Sequence, residues 1–147
     1  MEEKTENNYD CLKLENQLCF PLYAASREIL RKYTPFLKEL NITYTQYIVL
    51  MVLWDVKETT VGDIGKKLFL DTGTLSPLLK SMESRNLLCR TRDKNDERIV
   101  KIAITPEGEA LKDKASQIPQ QIGKCISLPP EDAKELYRIL YSLLNQQ

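Results

Sequence analysis

"TTVGDIGKKLFLDTGTLSPLLKSMESRNLL", residues 59–88, places two helix starts eleven or twelve residues apart. Thr60, with Asp63 three places on, resembles a capping box with Asp in the Glu place and predicts a short helix to about Phe69. Asp71 or Thr72 can cap the next. In that second helix Leu75, Leu78, Leu79 and Met82 recur at i, i+3, i+4 and i+7, an inward stripe that leaves Thr74, Ser76, Lys80 and Ser81 facing out. Two short helices joined by a tight turn form a helix-turn-helix, although the pattern alone describes any helical hairpin equally well.

The adjoining segment shifts the balance. "LCRTRDKNDERIVKIAI", 88–104, alternates as a hairpin does, with Val100, Ile102 and Ile104 on one face and Arg98 at the edge of a polar loop. A helix-turn-helix followed by a basic hairpin is a winged helix, so the expected fold is mainly α with a small β wing.

On the N-terminal side, apolar residues at helical spacing (Leu14, Leu18, Leu22, Ala25, Ile29) predict a long first helix over 12–33, disturbed at Pro21. Thr34 and Pro35 read as the start of a short helix ending near Asn41, and a third helix covers about Thr45 to Val56. On the C-terminal side, Thr105 and Pro106 open a helix to about Lys124, and "SLPPED" introduces a last one from about Glu131 to Asn145. Its stripe of Leu136, Ile139, Leu140 and Leu143 has no obvious partner in so small a core, and a second copy of the chain would supply one.

The 147 residues make one domain by length. The longest apolar run, "YIVLMVLW" at 47–54, is less than half a membrane span, so no membrane partner is expected. The polar opening "MEEKTENNYD" lacks the apolar region of a secretory signal, which predicts a cytoplasmic protein. Formal charge is zero, but 60–101 holds nine Lys or Arg against six Asp or Glu, leaving twelve against fifteen elsewhere. That excess is compatible with a nucleic-acid face or with an ordinary solvated surface.

Cysteines stand at 11, 19, 89 and 125, with no C-x-x-C pair and no histidine anywhere. A disulfide framework in a reducing compartment, a zinc site and the common histidine-based hydrolase chemistries are therefore not expected, and neither is a cofactor. Cys19 lies in "QLCFPLY", 17–23. A free cysteine on an apolar stripe is ordinarily a small hydrophobe, and reactivity needs donors or cations nearby. Lys13 and Arg27 are six and eight residues away, which leaves hydroxyl donors such as Tyr23 at i+4.

Four segments in order, "KLENQLCFPLYAASREI", "LNITYTQYIVLMVLW", "FLDTGTLSPLLKSME" and "DERIVKIAIT", resemble the MarR family of winged-helix repressors, and specifically its peroxide-sensing OhrR branch. The resemblance covers nearly everything from Leu14 onward. It implies an obligate homodimer whose terminal helices, within 11–44 and 106–147, interlock, and a DNA-binding lobe over 45–105 that reads an inverted-repeat operator in double-stranded DNA. In such a lobe the second helix of the motif enters the major groove, bringing Thr72, Thr74 and Ser76 to phosphates and base edges, with Lys80 and Arg90 on phosphates. The residue matching Arg98 enters the minor groove, held by the one matching Asp96. Ser81 stands where a relative carries arginine, so one phosphate contact drops from the expected set.

For the thiols, the resemblance makes Cys19 the sensor of an organic hydroperoxide. It makes Tyr33 and Tyr44, from the other subunit, the donors that favour its thiolate, with Tyr23 near the pocket. It also makes Cys125 the candidate resolving thiol in an intersubunit disulfide with Cys19, as in two-cysteine members. Cys11, eight residues before Cys19 and so about 12 Å away along a helix, is too far to bridge it unless that turn unravels, and Cys89 reads as a packing residue. Two rivals stay open: a repressor released by a small phenolic ligand with Cys19 inert, and a thiol peroxidase cycling Cys19 and Cys125.

Overall fold

A computed structural model describes residues 9–146, so the polar opening lies outside the described residues except for Tyr9 and Asp10. Two 3-10 turns, Asp10–Leu12 and Leu14–Asn16, lead into α1 (Cys19–Glu39). The first helix thus begins at Cys19 and not near residue 12. Pro21 does not disturb it, because a first-turn amide has no intrahelical acceptor for the ring to remove. Nor do Thr34 and Pro35 open a new helix: α1 runs through them. The Thr34 hydroxyl donates to the Leu30 carbonyl at 3.3 Å. The stripe of Ile29, Tyr33, Leu37 and Leu40 continues inward across the proline, and its burial outweighs the ~3 kcal/mol that an interior proline costs.

The central helix is α2 (Tyr44–Val56), buried on most sides through Tyr47, Val49, Leu50, Val52, Leu53 and Trp54. Thr43 and Gln46 close a full capping box at its start, with bonds of 3.3 and 3.0 Å.

Next come β1 (Glu58–Thr60), α3 (Val61–Leu68), α4 (Thr72–Ser84), β2 (Leu88–Arg92) and β3 (Val100–Ile104). The strands form an antiparallel sheet ordered β1-β3-β2, with Glu58 opposite Ala103 and Arg90 opposite Ile102. The sequence pattern does not announce β1, since three residues carry no measurable alternation. Thr60 accepts the Asp63 amide at 3.1 Å, one half of the expected box, and Asp71 caps α4 by accepting the Thr74 amide at 2.8 Å. The turn between α3 and α4 closes with Phe69 left-handed (φ 55°) and the Leu70 amide donating to the Gly65 carbonyl at 3.0 Å. A Cβ on Gly65 would stand 2.7 Å from the Leu70 carbonyl oxygen, so the tight turn requires glycine there.

The helix expected from 106 to 124 is two helices, α5 (Pro106–Ala115) and α6 (Ile118–Cys125). Pro119 has no amide to offer the Ala115 carbonyl, and the chain bends at Ser116 and Gln117. The last helix, α7 (Pro130–Leu144), lies where the sequence placed it. Among the described residues no helix is long and apolar enough to cross a membrane.

One core joins α1, α2, α3, α4, the sheet, α5 and α6, with Leu50, Leu53, Ile64, Leu75, Leu79, Met82 and Ile102 almost wholly enclosed. The Trp54 indole donates to the Gly108 carbonyl at 2.9 Å, tying α2 to α5. The architecture is a winged helix-turn-helix, mainly helical with a small sheet, as the sequence predicts.

Candidate nucleic-acid interface and sensing thiol

The helix-turn-helix presents α4 as a two-faced rod. Leu75, Leu79 and Met82 face the core, while Thr72, Thr74, Lys80 and Ser81 are exposed and Ser76 is half-buried, the division the spacing predicts. Between the starts of α3 and α4 and the wing lies a cavity of about 330 Å³ lined by Thr60, Gly62, Thr72, Ser76, Arg90 and Arg98, among others. Four of the expected contact residues thus share one concavity, and two are arginines. With the positive ends of two helices beside them, the chemistry suits an anion.

Arg90 is more constrained than the sequence suggests. Its backbone amide donates to Glu83 Oε1 at 3.1 Å and its Nε to Oε2 at 2.9 Å, joining β2 to α4. These bonds hold the Glu83 carboxyl below the usual range, and they leave the terminal nitrogens of Arg90 free to serve the cavity. No local sequence signal links positions 83 and 90. At the wing tip Arg98 is 93% exposed, and its amide and Nε both donate to Asp96 Oδ1, at 3.0 and 3.3 Å.

The thiol region is assembled differently. Cys19 is exposed at the first position of α1, at the positive end of the helix. Tyr33 lies fourteen residues on in the same unbroken helix, about 21 Å along the axis. Its ring meets that of Tyr44 edge-on at 4.9 Å, with Tyr47 at 6.1 and 6.2 Å from the two. Tyr47 escapes a reading by sequence alone, although it shares the face of Tyr44 at i+3. Burial pushes all three phenols above the usual tyrosine range. The neighbouring Tyr44 adds to this at Tyr33, and both neighbours add to it at Tyr47. The three therefore stay protonated, able to donate. Tyr23, exposed one turn after Cys19, instead stacks under Arg27, whose guanidinium carbon is 5.4 Å from the ring centre.

Cys125, exposed, ends α6. The start of α6, at Ile118 and Gln121, lies against the far end of α1, at Phe36, Glu39 and Leu40. That end is about 25 Å from Cys19, and α6 is only about 12 Å long. Within one chain Cys19 and Cys125 therefore stand well beyond the roughly 7 Å that a disulfide tolerates between Cα atoms. Cys11, in the first 3-10 turn, and Cys89, on β2, are exposed as well, so Cys89 does not fill the core as the sequence suggested.

A family model described as transcriptional regulator SarA/Rot matches residues 31–115. The organic hydroperoxide resistance transcriptional regulator of Bacillus subtilis (strain 168) is 50% identical over 139 residues, covering 95% of each chain. The chain belongs to the OhrR-type regulators of the MarR family. Among solved structures, this OhrR-type chain is similar to reduced AbfR bound to DNA, a Staphylococcus epidermidis protein, with TM-score 0.75, 34% identity and coverage of 92% and 94% of the two chains. It is also similar to disulfide-formed AbfR, with TM-score 0.64, 34% identity and coverage of 90% and 93%. The OhrR-type chain is thus a transcriptional regulator by family, with relatives known in more than one oxidation state.

Proposed function

We propose that this protein is a homodimeric, cytoplasmic repressor that grips an inverted-repeat operator and lets go when an organic hydroperoxide oxidises Cys19. One observation carries the reading: the protonated Tyr33–Tyr44 pair is fixed at the opposite end of the helix that begins with Cys19, so only a second copy can bring donors and thiol together. The surface for that copy is present. Leu14, Leu18, Phe20 and Leu22 at the start of the chain, and Leu136, Ile139 and Leu143 on α7, are uncovered, Leu18 to 85%. The AbfR relatives, one reduced on DNA and one disulfide-formed, support a redox-dependent grip.

The chemistry starts at the thiolate. Cys19, placed at the helix start within reach of two phenolic donors from the partner, attacks the outer oxygen of the hydroperoxide as its thiolate; the O–O bond breaks, and the alkoxide leaves as an alcohol after taking a proton. The resulting sulfenic acid condenses with the Cys125 thiol of the partner subunit, releasing water and forming a disulfide. That bond pulls two chains together at a place remote from the wings, and two heads spaced for one duplex lose their register. On DNA, Thr72, Thr74 and Ser76 read the major groove, Lys80 and Arg90 hold phosphates, and Arg98, steadied by Asp96, enters the minor groove.

The test is one equivalent of cumene hydroperoxide on the dimer, then a non-reducing gel, peptide mass analysis and a DNA-binding measurement. A covalent 19–125 dimer that no longer binds supports the scheme. A Cys19→Ser protein that is still released by peroxide, or catalytic consumption of peroxide over many turnovers, overturns it.

A further inference from the structure

The wing tip is folded by two aspartates, and the DNA-binding scheme uses only the second. Asp93 sits immediately after β2, and its amide donates to the Ile99 carbonyl at 2.9 Å, closing the loop. Its Oδ1 accepts the amides of Asn95 and Asp96, at 2.8 and 3.1 Å, and its Oδ2 pairs with Lys101 Nζ on β3 at 3.2 Å. Asp96 repeats the device one step outward: its Oδ1 accepts from Arg98, and its carbonyl accepts the Ile99 amide at 3.0 Å. The position of Arg98 therefore depends on Asp96, and that of Asp96 on Asp93. The inner side chain is 17% exposed and the outer cation 93%, an anchor at the base and a probe at the tip. Hydrogen bonding from the Asn95 amide, then from Lys101 and the Asp96 amide, holds the Asp93 carboxyl below its usual range and keeps it an acceptor.

We propose that Asp93 is a positioning residue for the wing: it fixes the loop in one conformation and so sets the height and angle at which Arg98 leaves the tip. This rests on the DNA-binding role proposed for the wing. An arginine on a loop already ordered loses less freedom on entering a groove, and a rigid tip tolerates a narrower range of groove widths. Asp93 thereby makes the wing a gauge of minor-groove width. Its carboxylate touches no DNA in this scheme and acts only through Asp96 and Arg98.

The sign of the effect separates this role from simple electrostatics. Removing a carboxylate beside DNA strengthens binding by charge alone, whereas loss of positioning weakens it. The probe is a 30-base-pair duplex selected from a random-sequence library by the wild-type full-length homodimer, with binding read by fluorescence anisotropy at several salt concentrations. Asp93→Ala is expected to weaken binding about tenfold, Arg98→Ala by a similar factor, and the double variant no more than Arg98→Ala. Asp93→Asn, which keeps an oxygen acceptor without the charge, is expected to stay within about threefold of wild type. Replacing A·T pairs beneath the wing with G·C pairs should penalise wild type and leave Asp93→Ala indifferent.

Equal weakening by Asp93→Ala with and without Arg98, or unchanged affinity, overturns the proposal. So does loss of the thermal unfolding transition in Asp93→Ala, which would make the residue a support of the fold. If wild type selects no duplex and shows no salt-dependent binding, the DNA-binding role itself fails, and the positioning role falls with it.

Discussion

Residues 43–104 close most of their apolar surface inside one chain: Leu50, Leu53, Ile64, Leu75, Leu79 and Met82 all find partners within it. The two ends of the chain have equally regular apolar stripes that stay partly uncovered, with Leu18 and Leu22 on one and Leu136, Ile139 and Leu143 on the other. Propensity and pattern make a helix in both regions. The difference lies in whether the buried counterpart is encoded in the same molecule. It also divides the chemistry, since the wing and α4 assemble their cavity within a chain while the tyrosines and Cys19 cannot meet in one.

The largest expected effect is inside the lobe. Leu79, 1% exposed, should cost about 3 kcal/mol when cut to Ala, read by urea unfolding with Trp54 fluorescence. That shift should not depend on protein concentration. Ile139→Asp on α7 inverts the case: the dimer dissociation constant should rise about 100-fold, or roughly 2.7 kcal/mol, in sedimentation equilibrium, while the lobe keeps its helix content. An Ile139→Asp protein that dimerises normally would erase the proposed contrast between the regions. Thr43→Ala removes the cap of α2 and should cost about 1 kcal/mol.

The smallest effect is a titration. The folded-state values of Tyr33, Tyr44 and Tyr47 lie above the unfolded value of about 10. The stability they contribute is therefore fully present below pH ~10 and lost as pH rises through the raised values. Absorbance at 295 nm should show these three phenols ionising above pH ~10, with alkaline unfolding after them. Early ionisation of all tyrosines would mean that the cluster is open.

The lobe was legible because its signals are local and agree with one another: caps at Thr60 and Asp71, a four-residue stripe on α4, and alternation in β3. The errors came where one local signal has two meanings. A Thr-Pro pair opens α5 at 105–106 yet lies inside α1 at 34–35, and only the burial of Leu37 and Leu40 decides between them. Pro21 looks like a helix breaker until the start at Cys19 puts it in the first turn. The thiol site was legible only through resemblance, because its parts are far apart along the chain. Tyr47, Glu83 and Asp93 matter through contacts that no spacing rule reports.

The Glu83–Arg90 bond also bears on how the sheet ends. β2 is an outer strand, and its residue-90 amide points away from β3. An unpaired row of this kind is a template on which a stray strand from another molecule can grow. A carboxylate reaching over from α4 occupies that donor, so α4 also guards the margin of the wing. Glu83 binds its proton more weakly here than in the unfolded chain, so the charged guard is in place at neutral pH and loses its charge only in acid.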